Sequence, residues 1–121
     1  MAEFFRVHTI DSAQVIELFL PDTIDPLEFD RLNDAIQTLL DTNSEGAAGR
    51  WVLDLGRVTY MGSAMLGLLV NLRHRTKKAG GKLVLCGLAP RLMEIFRTCC
   101  MERLFTITRT RPEAVRLTAR R

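Results

Sequence analysis

Short apolar runs typical of β-strands alternate along this chain with segments of helical spacing, and this alternation limits the fold more than any other feature. Residues 4–9 and 15–20 are two such runs, separated by the turn-forming segment 11–14, and they predict an opening β-hairpin. Beyond the hairpin, each predicted helix lies between two predicted strands. Because right-handed crossovers connect parallel strands, the pattern predicts an α/β domain with a mostly parallel mixed sheet packed with helices.

Capping signals mark the starts of two helices. Asp25 supplies an N-cap oxygen, Pro26 suits the first helical position and Glu28 completes a capping box, and apolar residues then recur at helical spacing until a predicted stop at residues 43–46. Residues 110–113 repeat the capping-box spacing before a short terminal helix. The other predicted elements are strands at residues 50–55, 82–86 and 104–108 and helices at residues 64–79 and 90–99.

The size and composition of the chain predict a single folded domain. Its 121 residues match the common size of one domain, and no repeat or long linker divides residues 1–121. A hydrophobic fraction of 47% excludes intrinsic disorder. Residues 109–121 are predicted to form a short basic C-terminal helix or tail.

The net charge of +3 is the sum of an acidic N-terminal half and a basic C-terminal half of the sequence. Residues 1–55 sum to −8 and residues 56–121 to +11, so the fold either has an acidic and a basic side or brings the halves together. Bases at the end of the helix at 64–79 complement the negative end of its dipole. Five arginines in residues 109–121 leave nucleic-acid binding as an alternative, but a solvated helix face or frayed tail is the preferred interpretation, and no direct nucleic-acid binding is expected.

The sequence predicts a cytoplasmic protein that does not insert into membranes. The first residues lack a basic region followed by a long apolar core, and the longest nearly uncharged stretch, residues 58–72, is too short to span a bilayer. Three cysteines argue against a disulfide framework. Cys86 is predicted to lie in the core, and Cys99 and Cys100 at a helix end.

A search for catalytic chemistry predicts that the protein is not an enzyme and has no cofactor, metal site or catalytic residue. His8 and His74 are isolated in sequence, and no phosphate-binding loop or nucleophile motif is present. Asp54 ends a predicted central strand, as a phospho-accepting aspartate would. The acidic pair and the lysine that such a site needs are absent from the expected places.

Ser63 is the candidate functional residue because it stands at the start of an apolar helix. Its hydroxyl is predicted to cap that helix by accepting a hydrogen bond. Unpaired N–H groups at a helix start also favour negative charge, so a phosphate could be accommodated there and would change the surface offered to a partner.

Residues 51–67 resemble the STAS domain, a family that includes the anti-sigma factor antagonists and domains attached to sulfate transporters. In this sequence the segment reads WVLDLGRVTYMGSAMLG, and residues 79–90 and 104–107 are similar to the following parts of the family pattern. In the antagonists, a serine at the head of the second helix is phosphorylated by a partner kinase, which breaks the complex, and a phosphatase restores it. Ser63 falls on that position, with Gly62, Ala64 and Met65 in place of the family's Asp, Ser and Gly.

The resemblance implies a non-enzymatic regulatory protein in signal transduction and transcription regulation. Its leading partner is an anti-sigma factor or serine protein kinase, a phosphatase is a second partner, and a homodimer is left open. Met61 and Met65 are also candidates for an adaptable apolar docking spot. The predicted partner-binding residues are Tyr60, Met61, Gly62, Ser63, Ala64, Met65, Leu66 and Leu69.

One alternative removes phosphorylation from this interpretation. The protein is then a constitutive STAS regulatory subunit of a transporter or multi-protein signalling complex. The departures from the family pattern around Ser63 favour this alternative.

Overall fold

A computed structural model describes residues 4–21, 23–42 and 49–120. The elements follow in the order β1 (Phe5–Ile10), β2 (Ala13–Leu18), α1 (Pro26–Thr42), β3 (Arg50–Asp54), α2 (Ser63–Lys78), β4 (Lys82–Cys86), α3 (Pro90–Thr98), a 3₁₀ turn (Met101–Arg103), β5 (Thr106–Thr108) and α4 (Arg111–Thr118). The strands form one sheet in the order β1-β2-β3-β4-β5. Only the β1–β2 pair is antiparallel, so the predicted α/β class, opening hairpin and mostly parallel sheet are confirmed.

Local signals account for most element boundaries. The hairpin turns on Asp11 and Ser12, which both have positive φ as a two-residue primed turn requires. This turn is shorter than the predicted segment 11–14, so β2 starts earlier than predicted, at Ala13. The strand ends at Leu18. The capping box of α1 is present, since the Glu28 N–H donates to Asp25 Oδ1 at 2.8 Å and the Asp25 N–H donates to Glu28 Oε1 at 3.1 Å. The predicted stop at residues 43–46 lies outside the described residues.

The last strand is shorter than its sequence pattern indicates. Residues 104–108 read as one run, but the 3₁₀ turn delays the strand until Thr106. Phe105 is instead buried against Phe96 of α3, with the two ring centroids 6.2 Å apart. Packing of one aromatic side chain therefore overrides the strand propensity of the run.

Helices cover both faces of the sheet. The larger core joins one face to α1, α2 and α3, and its buried helical residues include Ile36, Leu69 and Phe96. On the other face, Ala114 and Val115 of α4 pack against the second cluster of strand residues. The Glu113 N–H donates to the Thr110 hydroxyl at the start of α4, as the sequence predicts. No helix in the described ranges is both long and apolar enough to cross a bilayer.

An ion network attaches α4 to the carboxyl end of the sheet. Glu17 of β2 lies next to Asp54 of β3, and Arg111 reaches both, with its Nη2 3.2 Å from Glu17 Oε2 and 2.8 Å from Asp54 Oδ2. Burial lowers the pKa of Arg111, but the hydrogen bond and charge of Asp54, together with the charge of Glu17, outweigh it and raise the pKa above its ordinary value. Arg111 is therefore charged, and it stabilises the fold by holding the start of α4 on the sheet.

At the opposite end of α4, a second arginine holds the helix. The Arg50 Nη1 donates to the Asp11 carbonyl at 2.7 Å, and its Nε donates to the Thr118 hydroxyl at 3.2 Å. The terminal segment is thus packed on the sheet along α4 and held at both ends.

We predict that Arg111→Gln lowers the free energy of unfolding by about 1–3 kcal/mol, because it leaves the largely buried Asp54 carboxylate without its cation and Glu17 with only the more exposed Arg57 as a paired arginine. Urea denaturation measures the effect. Arg109→Gln is the matched control, since Arg109 is exposed and should change stability by less than about 0.5 kcal/mol. Equal effects of the two substitutions would contradict a structural role of the Arg111 network.

Candidate functional site

The loop between β3 and α2 is fixed by one carboxylate and three buried side chains. Asp54 Oδ1 accepts a hydrogen bond from the Gly56 N–H at 2.9 Å, which sets the first turn of the loop. Leu55, Val58 and Met61 are buried in the large core, each with at most 2% of its surface exposed. The start of α2 is therefore held at a defined place beside the carboxyl end of the sheet.

Ser63 is the first residue of α2, and its side chain is exposed. Gly62 is the N-cap residue and makes no side-chain cap, so the prediction that the Ser63 hydroxyl caps the helix is wrong. A capping side chain must precede the helix, whereas Ser63 is already inside its first turn. The hydroxyl of Ser63 has no hydrogen-bond partner among the described residues.

Backbone N–H groups beside Ser63 are available to an anion. The first helical bond of α2 runs from the Leu66 N–H to the Gly62 carbonyl at 3.1 Å. The N–H groups of residues 63–65 precede that bond and have no partner within the helix. Together with the positive end of the helix dipole, they favour negative charge at this position.

A groove of about 500 Å³ lies between the start of α2 and one face of α3, and we call it the Ser63 groove. Tyr60, which is 43% exposed, contributes to one wall together with Ser63 and Leu66. Arg91 and Glu94 of α3 contribute one charge of each sign to the groove.

The structure divides the predicted partner-binding residues into two groups. Tyr60, Met61, Gly62, Ser63 and Leu66 line the groove, although Met61 is only 2% exposed, and Ala64 is exposed beside it. Met65 and Leu69 do not line the groove and are at least 97% buried in the large core. The predictions that Met65 and Leu69 contact a partner through their side chains, and that Met65 forms a docking spot with Met61, are therefore wrong.

The α3 wall of the groove was not anticipated from sequence. Arg91, Glu94, Ile95 and Thr98 line it, together with Cys99 just beyond the helix. Their spacing would have identified a shared helix face, opposite the buried Leu92 and Phe96. The spacing of residues within α3 does not show, however, that this face lies beside the start of α2.

The three cysteines occupy the predicted places. Cys99 is the C-cap of α3 and Cys100 follows it in a left-handed conformation, and both are exposed. Cys86 is buried at the end of β4. Its burial, with a smaller contribution from the charge of Asp54, raises the pKa of the Cys86 thiol to about 12, despite the opposing charge of Arg111.

A family model matches nearly the whole chain, and a known protein matches about half of it. A model of the STAS domain matches residues 6–114. The Bordetella bronchiseptica protein BtrV, named as an anti-sigma factor antagonist, is 35% identical over 65 residues. That match covers 54% of this chain and 56% of the relative, so it spans little more than half of the relative's length.

Solved structures share the fold across nearly the whole chain. An anti-sigma factor antagonist STAS domain protein from Planctomyces limnophilus has a TM-score of 0.79 at 23% identity, with 96% of this chain and 98% of that one covered. The antagonist SpoIIAA in its unphosphorylated form has a TM-score of 0.71 at 20% identity, covering 92% of each chain. The Bacillus cell fate determinant SpoIIAA in its phosphorylated form has a TM-score of 0.66 at 19% identity, covering 93% of this chain and 97% of that one.

We predict that Met65→Ala lowers the free energy of unfolding by about 2–4 kcal/mol, because it opens a cavity in the core behind Ser63. Chemical denaturation monitors the loss. Val70→Ala on the same helix is the control, since Val70 is 38% exposed and should change stability much less. An unchanged stability of Met65→Ala would show that this side chain does not pack in the core.

We also predict that iodoacetamide modifies Cys99 and Cys100 in the folded protein but leaves Cys86 intact. At about pH 8, a thiol with the pKa of Cys86 is ionised to the order of 1 part in 10,000, and its sulfur is also shielded from the reagent. Peptide mass spectrometry locates the label. Guanidinium chloride should make all three cysteines reactive, and labelling of Cys86 without denaturant would contradict the prediction.

Proposed function

Because this chain belongs to the STAS domain family, we propose that it acts as a non-enzymatic regulatory protein that binds an anti-sigma factor or serine kinase partner through the Ser63 groove. Phosphorylation of Ser63 by that partner switches the complex off, and a phosphatase restores it. The protein works in the cytoplasm, where such a partner and its sigma factor meet. The observation that carries this proposal is the exposed and unengaged hydroxyl of Ser63 at the first residue of α2.

The position of Ser63 suits a kinase substrate because modification leaves the scaffold intact. The hydroxyl projects from the surface, so a kinase reaches it without opening the core. A phosphate there adds nearly two negative charges beside the unpaired N–H groups of residues 63–65, which stabilise it. The modification therefore changes the surface while the fold is retained.

The Ser63 groove provides a reason for the loss of binding. Tyr60, Leu66 and Ile95 give it an apolar lining that a partner can cover. A phosphate at its edge would pair with Arg91 and repel Glu94, and it would carry bound water into the interface. A partner that packs on the uncharged groove consequently loses affinity.

The relatives support the partner class. BtrV and SpoIIAA are both named as anti-sigma factor antagonists, and SpoIIAA has been solved with and without phosphorylation. Their regulatory class also supports a function in binding and not in catalysis.

The second candidate function is a constitutive STAS subunit of a transporter or signalling complex, and Gly62 favours it. Because glycine has no side chain, no carboxylate precedes Ser63 to orient its hydroxyl for phosphoryl transfer. In this candidate function the Ser63 groove still binds a partner, but without a switch.

We predict that Ser63→Asp weakens capture of the serine kinase partner at least about tenfold, whereas Ser63→Ala retains it, because only the first substitution places a negative charge at the groove. Affinity capture from the source cells with quantitative mass spectrometry measures both, and the same spectra report phosphorylation of Ser63. Asp at the start of α2 is favourable to the helix dipole, so the denaturation midpoint should not fall.

Ser12→Asp is the matched control. Ser12 is exposed in the hairpin turn at the other end of the sheet, and aspartate tolerates its positive φ. This control should retain the partner. If Ser63→Asp also retains every partner of the unmodified protein, the switch is excluded and the constitutive subunit is supported.

A further inference from the structure

A second groove, of about 420 Å³, lies at the opposite end of α2 from Ser63. It is formed by the last turns of α2, the start of β4 and the end of α4, and we call it the basic groove for its four bases, Arg73, Lys77, Lys82 and Arg120. Along α2, Ser63 lies about 15 Å from Arg73 and about 21 Å from Lys77. The basic groove is therefore a separate surface from the one proposed to bind the kinase partner.

The charge of the basic groove is uncompensated among the described residues. None of its described lining residues is acidic, and none of the four bases has a described ion-pair partner. Arg73 is held in place, because its Nε donates to the Leu104 carbonyl at 2.5 Å, and the Arg120 N–H donates to the Leu117 carbonyl at 3.3 Å. The groove thus presents four positive charges from defined backbone positions.

The floor of the basic groove is apolar and includes open strand edge. Leu83, Val84, Leu104 and Leu117 line it. Since β5 begins at Thr106 opposite Val84, the preceding residues of β4 have no strand partner on that side within the described chain. An extended peptide laid along this edge could use both its backbone and its apolar side chains.

The lining of the groove favours an extended acidic peptide over a nucleic acid. α2 and α4 both end here, so basic side chains, and not the backbone N–H groups of a helix start, would contact an anion. The described lining also contains no aromatic side chain on which a nucleic-acid base could stack. Long basic side chains above an apolar floor match an extended chain that alternates acidic and apolar residues.

We propose that the basic groove is a second docking site, which binds an extended acidic segment of a partner protein. Carboxylates of that segment pair with Lys77, Lys82 and Arg120, while its apolar side chains contact Leu83 and Leu117. The inference does not rest on the function proposed for Ser63.

The test measures binding of a fluorescein-labelled peptide of alternating Glu and Leu residues by fluorescence anisotropy at about 0.15 M salt, where the Debye length is about 8 Å. The double substitution Lys77→Gln with Arg120→Gln should weaken binding about tenfold, because it removes two of the pairing charges. The matched control combines Lys78→Gln with Arg116→Gln. It removes the same charge from the same two helices, at exposed residues outside the groove, and should weaken binding less than about twofold.

Five further comparisons decide the outcome. A peptide of alternating Gln and Leu residues should bind at least about tenfold more weakly, and Ser63→Asp should leave binding of the acidic peptide unchanged, whatever it does to the kinase partner. Equal weakening by the two double substitutions would overturn the proposal, as would equal or tighter binding of a single-stranded oligonucleotide of the same charge or of phosphatidylserine vesicles. Loss of a homodimer in the Lys77→Gln, Arg120→Gln variant, measured by sedimentation, would assign the groove to a second copy and also overturn it.

Discussion

The contact between Asp54 and Arg111 is the interaction on which the rest of the arrangement depends, because one carboxylate serves two parts of the chain. Its Oδ2 accepts from the Arg111 Nε at 2.9 Å and fixes the start of α4 on the sheet. Its Oδ1 accepts from the Gly56 N–H and fixes the loop that leads to Ser63. The Asp54 side chain therefore holds both α4, which covers one face of the sheet, and the loop that positions the candidate site on the other side. An apolar residue at position 54 could pack there but would provide neither hydrogen bond.

Local sequence signals predicted the elements well, whereas contacts between distant residues limited the prediction of the site. The capping box at Asp25 and Glu28 involves groups three residues apart, so it can be read from the sequence alone. The burial of Met61 and Met65 cannot, because an apolar side chain suits a core and a docking surface equally. Ser63 shows a different limit, since a boundary shift of one residue changes a capping hydroxyl into an exposed one.

Charges from the acidic half (residues 1–55) and the basic half (residues 56–121) pair at one end of the sheet more fully than at the other. At the carboxyl end, Arg57 and Arg111 from the basic half lie against Glu17 and Asp54 from the acidic half, so two charges of each sign meet and neutralise. At the amino end, Asp41 pairs with Arg75, but the bases of the basic groove have no such described partner. Counting charges along the chain could not separate these cases, because the parallel sheet determines which residues from each half meet. The net charge of +3 thus combines a neutralised end and a basic end.

The connection between the two ends determines how the two grooves can be used. α2 runs continuously from Ser63 to Lys78 and buries Met65, Leu69 and Leu72 in the core between them. A continuous helix packed along its length has no hinge between its two ends. Electrostatic influence over about 15–21 Å is also screened at physiological salt, where the Debye length is about 8 Å. Phosphorylation of Ser63 would consequently release a partner from the Ser63 groove while an acidic segment stays bound at the basic groove. A protein built this way can keep one partner tethered while it cycles on and off another.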